Sequence, residues 1–186
     1  MTKRLLFFLL WTVILAGLGC KNESLWDKSM MEAQKAIERH EYDYAEGLLL
    51  DALPQAEMWG DSDHRLATVL YNLGEVYRRQ QDFAKAEPYF WRALPIWVRS
   101  LGAEHPEIAK GLSSLAQVYA SRQEYTKSEP LIKRALKIQE KAFGLGHPNL
   151  LQSLEQYSDL LKLMNRQVRA GKIDRRIKNI LNKPRY

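Results

Sequence analysis

Apolar residues return every three to four positions over most of the chain, and they do so in blocks. Leu66, Leu70, Leu73 and Tyr77 fall on one side of a helix. Phe83, Ala86, Phe90, Ala93, Leu94 and Trp97 fall on one side of another. Spacing of this kind is that of amphipathic helices with one buried stripe. Between the two blocks lie Gln80, Gln81 and Asp82, with Asp82 placed to cap the second helix. The pair predicts a helical hairpin.

The hairpin is written more than once. LYNLGEVYRRQQDFAKAEPYFWRAL (70–94) lies over LSSLAQVYASRQEYTKSEPLIKRAL (112–136) at a spacing of 42. Leu73 answers Leu115, Gly74 answers Ala116, Tyr77 answers Tyr119, and Arg92-Ala93-Leu94 answers Arg134-Ala135-Leu136. AEGLLLDAL (45–53) adds a third copy, 41 residues before AEPYFWRAL (86–94). Leu151, Leu154, Tyr157 and Leu161 open a fourth. A fixed period of this length marks a stacked-repeat protein, each unit burying its apolar face on the next. Four hairpins are expected, over 26–59, 65–101, 106–143 and 148–182. Pro54, Pro88, Pro95 and Pro130 recur at matching places and are read as lying within helices. His64-Arg65, His105-Pro106 and His147-Pro148 are read as helix starts, with proline in the first turn.

The first twenty residues differ in kind. Lys3 and Arg4 precede an uncharged, largely apolar run from Leu5 to Leu18, followed by Gly19 and Cys20. At about 1.5 Å per residue the run is shorter than a roughly 30 Å bilayer core, and its layout is that of an export signal. Residues 1–19 are expected to be that signal, 20–25 a tether and 183–186 a tail. The lone cysteine resembles the lipidation site of bacterial lipoproteins, although Gly17 stands where that motif usually has leucine. The resemblance implies that Cys20 carries lipid and holds the chain in a bacterial cell envelope. Without Asp at Lys21 it favours an outer membrane where the cell has two.

Charge is uneven. The formal net charge is +6, but residues 162–186 hold nine Lys or Arg against Asp174, while residues 20–161 carry −4. The basic balance therefore belongs to the ends. The basic C-terminal helix is expected to suit an anionic surface. Nucleic acid is not expected, because no aromatic residues are interleaved there for stacking. With one cysteine there is no intramolecular disulfide. No phosphate-cradling loop, nucleophile–base set or metal-ligand cluster is written in the chain, so no catalytic residue, metal or cofactor is expected.

With these residues in place, the repeats resemble tetratricopeptide repeats of the 42-residue kind found in kinesin light chain. Leu73-Gly74, Tyr77, Ala86-Glu87-Pro88, Arg92-Ala93-Leu94 and the Leu101–Pro106 junction carry the likeness, with their counterparts one period on. Gln81 and Gln123 stand where that family commonly has glycine. The resemblance implies an all-α, right-handed superhelical array of antiparallel hairpins, about four in number. It implies a concave groove lined by the first helix of each hairpin, which holds a protein or peptide partner. The groove positions it implies are Thr68, Tyr71, Asn72, Glu75, Arg78 and Arg79, then Lys110, Ser113, Ser114, Gln117 and Ser121, then Gln152, Glu155 and Asp159. All lie off the Leu/Tyr stripe and are expected to face water or a partner. The function so implied is a membrane-anchored scaffold or adaptor, with a self-associating structural subunit as the alternative.

Overall fold

The computed structural model describes residues 26–182. Eight helices follow one another there. They are α1 (26–38), α2 (Tyr42–Met58), α3 (His64–Arg79), α4 (Phe83–Leu101), α5 (Pro106–Ser121), α6 (Tyr125–Phe143), α7 (Leu151–Leu163) and α8 (Gln167–Leu181). A single 3-10 turn, Pro148–Leu150, leads into α7. No strand occurs among the described residues. The helices pair as four antiparallel hairpins, and α3, α5 and α7 also touch in sequence along one side. The array is an all-α stack of about four helical hairpins, as expected. No described helix is long and apolar enough to cross a membrane. Cys20 and the apolar run before it lie outside the described residues.

The corners repeat as faithfully as the helices. Within the hairpins, His40, Gln81, Gln123 and Asn165 take left-handed φ values of 64°, 63°, 62° and 58°. The residue after each returns its N–H to a carbonyl five back: Glu41 to Ala36, Asp82 to Tyr77, Glu124 to Tyr119 and Arg166 to Leu161. This is a Schellman-type stop, made four times. Between hairpins the turn falls to Gly60, Gly102 and Gly144, at φ 95°, 90° and 86°, where a side chain would be strained.

Helix starts obey the same period, with one shift from expectation. The Nδ1 atoms of His105 and His147 accept the N–H of Glu107 and Asn149 at 3.3 and 3.1 Å. The matching cap in the second hairpin is Asp63, whose carboxylate accepts from the Arg65 N–H at 2.8 Å. His64 is already inside α3. The true equivalents are thus 63, 105 and 147, and the histidines act as caps. Helices α2, α4 and α6 run unbroken through Pro54, Pro88, Pro95 and Pro130.

Stacking is held by apolar burial and by a few polar ties across hairpins. Leu49, Leu66, Leu70, Leu73, Phe90, Trp97, Ile108, Leu112 and Leu115 are fully buried in one continuous core. At the start, Trp26 meets Trp59 edge-on with centroids 5.3 Å apart, and the Arg65 guanidinium sits 3.5 Å above the Trp59 ring. Tyr77 donates to Glu46 at 2.7 Å and Tyr119 to Glu87 at 2.6 Å, each reaching back to the preceding hairpin. In the last hairpin Leu161 holds the tyrosine's place, and Arg166 takes Glu129 at 2.6 Å instead.

Candidate partner-binding groove

Helices α3, α5 and α7, with one residue of α6, enclose a polar cleft of about 220 Å³. Of the fourteen groove positions implied by the sequence, the structure gathers nine at this cleft: Tyr71, Glu75, Arg78, Arg79, Lys110, Ser113, Ser114, Gln117 and Gln152. Five lie elsewhere. Thr68 turns its hydroxyl to the His64 carbonyl at 2.9 Å. Asn72 is buried. Ser121 is exposed at the end of α5, Glu155 is exposed on α7, and Asp159 is an exposed partner of Lys162 at 3.3 Å.

Of the two surroundings expected for these residues, water or a partner, open water is not what the structure gives five of them. Tyr71, Asn72, Glu75, Ser113 and Ser114 are buried. The reason is that neighbouring first helices pack closely enough to cover the residues between them. Tyr71 shows this best. Its ring lies 5.6 Å from Phe90 and 5.3 Å from Trp97, its hydroxyl meets Ser114 at 3.3 Å, and the Lys110 ammonium sits 4.6 Å over its face. Burial pushes its phenol well above the ordinary range. Tyr71 is a wall of the cleft and part of the core at once.

Charge in the cleft is ordered. Arg78 grips Glu75 at two points, Nε to Oε1 at 3.0 Å and Nη2 to Oε2 at 2.8 Å. Burial by itself would raise the Glu75 carboxyl, but the Arg78 grip outweighs it, and the group is held below the usual carboxylate range. Arg78 is therefore committed. Arg79, more exposed and 3.8 Å from the same carboxylate, and Lys110, 3.9 Å from Glu107 and over the Tyr71 ring, are the more loosely held cations of the cleft.

Three lining residues escaped the sequence reading: Gln139, Ser153 and Gln156. Ser153 bonds Ser113 at 3.2 Å. The Oε1 atoms of Gln139 and Gln156 are buried with no hydrogen-bond partner among the described residues. Gln139 comes from α6, a second helix of its hairpin. One period earlier its place is held by Trp97, fully buried in the core. A glutamine on the apolar stripe was the signal that could have found it.

The last hairpin presents a different surface. Arg169, Lys172, Arg175 and Lys178 are exposed on α8, and Val168 and Leu181 stand out beside them.

A Tetratricopeptide repeat family model matches residues 33–97, 65–124 and 107–177. These spans cover most of the chain, and the chain belongs to the tetratricopeptide repeat family. Among solved structures it is similar to BtubC (BKLC) from P. vanneervenii, with a TM-score of 0.77 and 21% identity, over 89% of this chain and 69% of that one. It is also similar to kinesin light chain nearly identical TPR-like repeats from Podosopora anserina, with a TM-score of 0.74 and 17% identity, over 86% and 76% of the two chains. A Hyaloscypha variabilis nucleotide-binding leucine-rich repeat (NLR)-like protein is 40% identical over 47 residues, 25% of this chain. The chain spans only 5% of that relative's length. Proteins of this family are in general scaffolds without catalysis, and the fold is one that serves protein–protein interaction.

Proposed function

We propose that this protein is a membrane-anchored tetratricopeptide-repeat lipoprotein, lipidated at Cys20, that acts as a non-catalytic scaffold in a bacterial cell envelope. Its polar cleft receives a segment of a protein partner. One observation carries the binding role: two buried amide oxygens, on Gln139 and Gln156, meet no donor among the described residues. A buried acceptor without a donor is unfavourable by about 1–3 kcal/mol. Peptide N–H groups would satisfy both, and Arg79 and Lys110 would meet a carboxylate on the same segment. The signal-like run before Cys20 supports the anchor, since two or more acyl chains hold a protein stably at a membrane. The basic face of α8 supports contact with an anionic surface.

The test is crosslinking with mass spectrometry in native cells, comparing the wild-type chain with Arg79→Glu/Lys110→Glu. Arg78 is spared because its loss would leave the buried Glu75 without its two-point partner. Loss of crosslinks at α3, α5 and α7 in the variant supports the cleft, and an unchanged crosslink map refutes it. Unchanged processing and membrane retention in Cys20→Ser would refute the anchor.

A further inference from the structure

The second helices of successive hairpins are tied by an arginine–carboxylate bridge, and one of the three junctions lacks it. Arg92 of α4 reaches back to Glu57 of α2 at 2.6 Å, and Arg176 of α8 reaches back to Glu140 of α6 at 2.5 Å. Arg134 of α6 holds the same place in the repeat, one period from each. The residue it would reach on α4, 41 after Glu57 and 42 before Glu140, is Val98. Arg134 thus has no ion-pair partner among the described residues.

At this junction, and walled by Trp91, Leu94, Val98 and Leu131, lies a largely apolar cleft of about 470 Å³. Arg99 and Arg134 are its charged lining residues. Trp91 is a fixed wall, its ring N–H bonded to the Tyr119 hydroxyl at 3.1 Å, yet it is 47% exposed. Arg99 donates to the Asp61 carbonyl, an interaction that leaves its charge uncompensated. The cleft is apolar where the neighbouring junctions are bridged, and both of its charged lining residues are positive.

We propose that this cleft between α4 and α6 is a second docking site. It takes a segment of a partner protein in which an aliphatic side chain adjoins an aspartate or glutamate. The partner's carboxylate occupies the place on Arg134 that Glu57 and Glu140 fill on Arg92 and Arg176. Its aliphatic group covers Leu94, Val98 and Leu131 against Trp91. The polar cleft of α3, α5 and α7 shares none of these residues, so the two sites stand or fall separately.

The full chain, reconstituted in phosphatidylcholine nanodiscs, is titrated against a fluorescein-labelled Gly-Asp-Leu-Asp-Gly peptide and followed by anisotropy. Saturable binding is expected. Val98→Glu rebuilds the bridge from within and should weaken binding at least tenfold, with helical circular dichroism retained and a thermal midpoint no lower than wild type. Arg134→Gln tests the same contact without adding a carboxylate and should also weaken binding at least tenfold. A peptide with Asn for Asp should bind at least tenfold more weakly. The proposal is overturned if the peptide fails to saturate the wild-type chain, or if both variants bind within twofold of it. It is equally overturned if the Asn peptide binds as well, or if oleate in place of the peptide binds with the same dependence on Val98 and Arg134. Light scattering that shows self-association lost in both variants would likewise assign the cleft to a second copy and overturn the proposal.

Discussion

Ser158 donates a hydrogen bond to Asp174 at 2.5 Å, at the place where the third hairpin packs Ala116 with Ile132 and the second sets Gly74 against Phe90. The same crossing point is thus filled three ways, by glycine with phenylalanine, by alanine with isoleucine, and at the end of the array by a polar pair. Volume is traded across the two helices and not fixed at either residue. A Cβ at Gly74 would meet the Phe90 ring at 2.7–3.0 Å, and Phe90 is fully buried. Overpacking of this kind costs about 1–3 kcal/mol. It should outweigh the roughly 1 kcal/mol that alanine gains over glycine in a helix. Gly74→Ala and Phe90→Ile are each expected to lower stability. Together they reproduce the Ala116–Ile132 pair and should recover at least about 1 kcal/mol relative to the sum of the single changes. Urea unfolding of the four proteins measures this coupling.

Gln81 and Gln123 spend their conformational freedom on a turn that glycine makes without strain. Both sit at left-handed φ, 63° and 62°. A residue with a Cβ pays roughly 1–2 kcal/mol there, against about 0.5–1 kcal/mol of extra chain entropy lost by glycine. Gln81→Gly and Gln123→Gly should each raise stability by about 0.5–1 kcal/mol. Their effects should add, since the two corners are a full repeat apart. Gln81→Val should lower it. Thermal or urea midpoints decide the matter, and a destabilising glycine at either corner would show that the glutamine side chain is needed for another reason.

The helices and their pairing were legible because each obeys a local rule: a stripe every three to four residues, a cap, a corner, all repeated at 42. Gln81 and Gln123 were recognisable as departures from the family pattern for the same reason. Burial across hairpins was not legible. Nothing in the order of residues around Tyr71 or Ser114 says that α3 and α5 close over them, because that depends on how near two separated helices come. Gln139 and Val98 are the instructive pair. Each is one residue that breaks a repeated position, a polar group in place of Trp97 and an apolar one in place of Glu57 and Glu140. Such breaks are visible in the sequence only when each copy is compared with the others position by position.

Tyr77 and Tyr119 carry equal positions but unequal loads. Tyr77 donates to Glu46 and stacks on Tyr89 at 5.5 Å. Tyr119 donates to Glu87 and also accepts the Trp91 ring N–H. Removing one hydrogen bond to a charged group costs about 1.5–3 kcal/mol in burial and less where water can replace it. Tyr77→Phe should therefore cost about 1 kcal/mol and Tyr119→Phe about 2 kcal/mol. Tyr119→Phe should also change Trp91 fluorescence, because its ring N–H loses its acceptor. Equal losses in urea unfolding would show that the Trp91 bond contributes nothing.

Acid should uncouple Glu75 from Arg78. Burial raises the Glu75 carboxyl, and the two-point bond from Arg78, aided by Ser114 and Arg79, more than reverses this, so the folded group is more acidic than the unfolded one. Such a group stabilises the fold above the unfolded carboxyl's titration range. Its contribution is lost as the pH falls through the folded value. At neutral pH, Glu75→Gln leaves Arg78 largely buried without its carboxylate and should cost about 1–3 kcal/mol. The gap between wild type and Glu75→Gln should narrow steadily as the pH drops through the ordinary glutamate range, because the unfolded wild-type carboxyl takes up its proton there before the folded one does. Urea unfolding of both proteins from pH 7 to pH 3 gives the answer. A gap that stays constant across that range would mean that the folded and unfolded carboxyls titrate alike, and that the grip of Arg78 confers no charge stabilisation.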